Sequence, residues 1–268
     1  MAGRGGKTMD WKQASRIAFA LTFIGIGVIG LVSGSIAPIW QPVPEGTRGY
    51  ELLVFLSAVV ALGCGAGLLL KRTATVAALV LTIALILWTA IFKMPFIIKA
   101  PLVEGSYQSN GENWVLIAAA WVLYAGLAGT RKGLAGQFGE RIAWLLYGLA
   151  LIAFGLSHFF YLELTAPLVP TWLGAPVFWA YATGTIYILC GLAIITSLAT
   201  RLGALGAAAN ITLITLLVWT PIMLAGGVTA VHWQETIVSC ALMVASWVLA
   251  SGSPPATGWL RHPSPTHR

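Results

Sequence analysis

The chain has 268 residues, of which 58% are hydrophobic and only 9% charged, and its mean hydropathy is +0.86. So little polar surface excludes a water-soluble globule and a disordered chain, and leaves a polytopic membrane protein. Fifteen basic residues against eight acidic ones give a net charge of +7. The basic residues fall between apolar runs and form no binding stripe, so the charge reads as topology and attraction to anionic lipid, with no nucleic-acid partner.

Backbone groups in lipid must be satisfied within their own segment, so each span is expected to be a helix of about 20 residues. Residues 1–15 are polar, Gly-rich and basic, a short cytoplasmic segment without a cleavable signal. Apolar runs then predict spans over 16–36, 50–70, 74–92 and 113–129, a linker at 130–140, and spans over 142–162, 177–198, 202–225 and 231–250. The end, 251–268, holds four of the thirteen prolines and no apolar period, and reads as a disordered tail. Between spans 3 and 4 the residues 93–112 read as a long outer loop. Trp219-Thr220-Pro221 is expected to kink span 7.

The two halves resemble each other. Arg16-Ile17-Ala18 and Gly30 recur as Arg141-Ile142-Ala143 and Gly155, Cys64-Gly65 as Cys190-Gly191, and Trp121-Val122-Leu123 as Trp247-Val248-Leu249, at offsets of 125 or 126. Trp88-Thr89 finds a match in Trp219-Thr220 at 131. Each copy holds four spans, an even number, so both enter the membrane in the same orientation. The expected fold is an all-α integral membrane protein of about eight transmembrane helices, built as two tandem parallel-repeat four-helix bundles, residues 16–129 and 141–250.

Twelve of the fifteen basic residues lie at the termini, the 2–3 turn, the 4–5 linker or the 6–7 turn, and only Arg48, Lys93 and Lys99 lie at the other face. The positive-inside rule therefore places both termini in the cytoplasm, with the chain in the inner (cytoplasmic) membrane. The opposite connections are longer and rich in Pro and aromatics, as an interfacial belt or a lid over a pocket requires.

Ionisable groups at membrane depth are few and point to function. His158 and Glu163 fall toward the outer end of span 5. His232 and Glu235 begin span 8 with a spacing that puts both on one helix face. Trp172, Trp179, Trp219 and Trp233 are candidate walls for a pocket there. Three arrangements suit these residues: a proton-handling or quinone-headgroup site, a zinc site, and local hydrogen bonding to backbone or interfacial water. No tight two-His motif is present, so no metal is assigned. Asn210 in span 7 is expected to hydrogen-bond across the bundle or to touch a ligand. Cys64 and Cys190 sit beside Gly as small packing residues, and three cysteines do not make a disulfide framework. The Gly30 to Gly34 spacing reads as a packing surface between helices.

The order of signals in the second half carries a resemblance. Gly155-Leu156-Ser157-His158-Phe159 is followed by Pro170-Thr171-Trp172-Leu173, by the Thr183-Gly184 helix, by Cys190-Gly191 and by Thr200-Arg201-Leu202-Gly203. Together these resemble the DoxX family of four-span membrane proteins, over 141–250 and more loosely over 16–128. Ser33 stands in the first half where His158 stands in the second. The resemblance implies an accessory or quinone- or lipid-binding membrane subunit tied to a redox enzyme, similar to the membrane subunit of a thiosulfate:quinone oxidoreductase, with quinone as a possible cofactor and redox-enzyme subunits as partners. A small-solute carrier and a purely structural subunit are the alternatives.

Overall fold

The computed structural model describes residues 10–43, 46–129, 132–252 and 254. Most of the N-terminal segment and the tail beyond 254 therefore lie outside the described residues. Within them the chain is all helical, and seven helices are long and apolar enough to cross a membrane. They are α1 (Trp11–Ser33), α2 (Tyr50–Leu69), α3 (Ala74–Lys99), α5 (Gln137–Phe160), α6 (Pro176–Ile195), α7 (Thr200–Ala225) and α8 (Ala230–Ser251). An eighth long helix, α4 (Glu104–Leu127), opens with the polar stretch EGSYQSNGEN and becomes apolar from residue 114 onward. The protein is a multi-pass membrane protein.

Helix ends follow local chemistry. α1 stops at Gly34, whose left-handed backbone (φ 63°) returns its N–H to the Gly30 carbonyl at 3.1 Å. Pro176 occupies the first turn of α6, where a missing N–H is harmless. α8 starts with a capping box: the His232 N–H donates to Thr229 Oγ1, and the Thr229 N–H donates to His232 Nδ1, both at 3.3 Å.

The expected loop over 93–112 is a correction. α3 continues through a π-helical turn, Thr89–Lys93, into Met94–Lys99, and only 100–103 separate it from α4. The widened turn lies just ahead of Pro95, whose ring has no N–H and crowds the carbonyl four residues back. α7 behaves alike, with a π turn at Thr215–Trp219 ahead of Pro221. The two π turns start 126 residues apart.

Each helix packs on the next in chain order, and α8 closes the circuit on α1. α4 and α8 also pack on each other through the middle. The ring is thereby pinched into two five-helix circuits that share α4 and α8, rather than two separate four-helix bundles. Ser15 and Ser251, joined by their hydroxyls at 2.8 Å, bring the start of α1 and the end of α8 to one face. Being central explains α4: its residues from Val115 to Ala120 are almost wholly buried against protein, so it need not match the hydropathy of lipid.

The two circuits are filled differently. In the first, the connection after α1 turns inward, burying Ile36, Ala37, Ile39 and Trp40, and the Pro38–Trp40 turn packs on α8. Trp88 Nε1 donates to the Trp40 carbonyl at 2.6 Å and locks this plug. In the second, the connection 161–175 stays outside, with Leu164 and Trp172 exposed. The second circuit is left open at that end.

Candidate functional site

The opening is a chamber of about 520 Å³, lined by residues from all five helices of the second circuit. α4 supplies Gln108 and Glu112, α5 supplies Phe154, Ser157 and His158, and α6 supplies Tyr187. Ile211, Ile214 and Trp219 come from α7, and His232, Glu235, Val238 and Ser239 from α8, with Tyr161, Leu164, Thr165 and Leu168 from the loop as the rim. A second, apolar recess of about 340 Å³ shares His158, Thr165, Leu168, Ile214 and Trp219 with it. That recess runs between α6 and α7 past Trp179, Thr183, Ile186, Asn210, Leu213 and Leu217. Ile186 and Leu213 are exposed on the outside of the ring, so the recess opens sideways.

The walls are set by close helix approach. A Cβ built on Gly155 would lie 2.6 Å from the Gly184 carbonyl oxygen, and one on Gly184 would lie 2.7 Å from the His158 Cβ. Only glycines let α5 and α6 come this near. His158 is held at that crossing, with Nδ1 2.8 Å from the Phe154 carbonyl and its ring 5.7 Å from that of Tyr187. A carbonyl only accepts, so Nδ1 carries the proton and Nε2 is an acceptor in the neutral ring. His232 is the reverse, because its Nδ1 accepts from Thr229, which leaves Nε2 as the donor.

The chamber's acid end reaches into the first circuit. Glu112 faces Lys93 Nζ at 3.5 Å, while the same ammonium donates to the Ser109 carbonyl at 2.9 Å. Lys93 has no accessible surface, whereas the Glu112 side chain keeps 21%. Asn110 donates to the Lys93 carbonyl at 3.0 Å, and Asn113 donates to Thr89 Oγ1 at 3.0 Å, fastening α4 to the π turn of α3. In the second circuit Thr215 and Ser239 make the like link between α7 and α8, with their hydroxyls 2.7 Å apart. Glu104, in the first turn of α4 ahead of its apolar stretch, buries both carboxylate oxygens without a partner, and burial pushes its carboxyl up to about 7.

Of the residues expected at the site, His158, His232, Glu235 and Trp219 line the chamber together. Trp179 and Asn210 line the lateral recess instead, and the Asn210 amide donates to the Thr183 carbonyl at 3.3 Å, bridging α6 and α7. Glu163, Trp172 and Trp233 are corrections: all three are exposed and line neither space. Their helix turns face outward at the rim, as an interfacial belt does. Glu112, Gln108 and Tyr187 were missed by sequence reasoning. In the sequence Glu112 falls in the expected loop over 93–112, and only the ring closure brings α4 against α5 and α8.

Among the described residues no group of three or more His, Cys, Asp or Glu is arranged to hold a metal ion. Cys64, Cys190 and Cys240 are free thiols. No protein-family model, curated protein or solved structure matches the chain.

Proposed function

We propose that this chain holds a membrane amphiphile, of the lipid or quinone class, with its tail in the recess between α6 and α7 and its headgroup in the chamber beside His158 and Trp219. The observation that carries the reading is the adjacency of the two spaces, an apolar groove open on the outside of the ring that shares five lining residues with a chamber bearing carboxylates and imidazoles. Their volumes are in the range of small-molecule sites. A solute that crosses through water has no use for a side opening. An amphiphile already dissolved in the bilayer does.

The role that follows is that of an accessory subunit beside a membrane redox enzyme, as the resemblance to the DoxX family implies. We read the halves as a tandem duplication of a DoxX-like four-span module, supported by α2 and α6, α3 and α7, and the two π turns each starting 126 residues apart. After duplication one chamber was plugged by Trp40 and the other kept. The basic residues favour the cytoplasmic membrane with both termini inside.

Mass spectrometry of the protein purified in mild detergent tests this. One amphiphile class is expected in stoichiometric amount, and Trp219→Ala should reduce its retention. Folded protein with no amphiphile above the detergent background would sink the reading.

A further inference from the structure

The chamber is lined by acids and imidazoles without a cationic side chain. Glu112 and Glu235 both line it, and no Lys or Arg does. The one ammonium bonded to either, Lys93, lies behind Glu112 and is already committed to it and to Ser109. Glu235 has no hydrogen-bond or ion-pair partner among the described residues. A carboxylate beside a second carboxylate, with one shared cation, leaves a position where a further positive charge is favoured.

A second side chain also lacks its partner. Tyr187 is 4% exposed, lines the chamber, and its hydroxyl makes no hydrogen bond to any described residue. Its ring is buried, while the hydroxyl keeps surface on the chamber and is open to an occupant. The rings of Trp219, Tyr161, Tyr187 and His158 enclose the same space, and the faces of such rings attract an ammonium. The carbonyl oxygens of a quinone are acceptors only, so they could take the Tyr187 hydroxyl or His232 Nε2 but would leave the Glu235 carboxylate without a partner. A wholly anionic headgroup would be repelled.

We propose that the headgroup taken by this chamber bears an ammonium, so that the occupant is an amine-headed membrane lipid held by Glu235 and the aromatic faces. The assignment rests on the amphiphile reading above and narrows it. Tyr187 donates to the headgroup's ester or phosphate oxygens, and the acyl chain leaves between α6 and α7.

The test uses the full chain in mild non-ionic detergent and four probes measured by native mass spectrometry. These are phosphatidylethanolamine, its N-acetylated form, phosphatidylglycerol and menaquinone. Phosphatidylethanolamine is expected to be retained about tenfold more tightly than the acetylated lipid. Glu235→Gln, which breaks no bond within the fold, should melt like the wild type and lose that preference, and Tyr187→Phe should weaken retention without changing it. Equal retention of the amine and acetylated lipids, a preference for menaquinone or phosphatidylglycerol, or an unchanged preference in E235Q overturns the ammonium assignment while an amphiphile site stands. Retention of none of the four by folded protein overturns both.

Discussion

Replacing Glu112 by Gln removes the carboxylate facing Lys93 and leaves an ammonium with no accessible surface holding only the Ser109 carbonyl. Stranding a buried charge in this way destabilises by about 3–5 kcal/mol. The reverse substitution, Lys93→Met, is milder. It leaves a carboxylate that keeps 21% of its surface on the chamber side, where water can solvate it, and the loss falls to about 1.5–3 kcal/mol, the size of a hydrogen bond to a charged group. The double variant K93M/E112Q strands nothing and should lie within about 1 kcal/mol of wild type or above it. Reversible unfolding in mixed micelles, followed by circular dichroism as a double-mutant cycle, measures all three. If K93M costs as much as E112Q, or if the double variant costs the sum of the two, the asymmetric burial of this pair does not govern its energetics.

Further outcomes follow from other contacts. Gly155→Ala places a Cβ 2.5 Å from Ile188 Cγ1 and 2.6 Å from the Gly184 carbonyl, and should destabilise by about 1–3 kcal/mol. Gly25→Ala, with nothing within 4 Å, should stay within about 0.5 kcal/mol of wild type, and equal melting of the two would refute the close-crossing argument. Trp88→Phe removes the 2.6 Å bond to the Trp40 carbonyl and should lower stability by about 1–3 kcal/mol, read by thermal melting. Glu104→Gln tests the pH dependence. Its folded carboxyl is raised to about 7 by burial, so the stability it contributes is full below its unfolded value near about 4.3 and is lost as pH rises through 7. The melting temperature of E104Q should therefore exceed that of wild type at pH 8 and approach it at pH 4, and identical profiles would contradict that burial.

The seven apolar helices were legible because hydropathy is a local property: a run of apolar residues between charges is long enough to span wherever its neighbours lie. His158, His232, Glu235 and Trp219 could be nominated for the same reason, since a polar side chain in an apolar run stands out without knowledge of its surroundings. Local patterns failed where the surroundings are protein in place of lipid. α4 looks too polar at its start to be part of a membrane helix, and 93–112 reads as a loop, because the partners lie on another helix: Glu112 pairs with Lys93, Asn110 donates to the Lys93 carbonyl, and Asn113 donates to Thr89 Oγ1. Trp40, Trp172 and Trp233 are the same residue type near the same kind of boundary. Yet Trp40 is buried as a plug, while the other two stand in the open.

Composition and periodicity alone determined that the chain is an all-helical membrane protein and where most of its helices run. Tertiary structure decided that α4 and α8 are shared between two circuits, that Trp40 plugs the first beside a groove between α2 and α3 while the second keeps its chamber, and that Glu112 from the first half completes that chamber. The physical reason is that a helix follows from contacts within a few residues, whereas a cavity depends on which helices close against each other and on what remains unfilled between them.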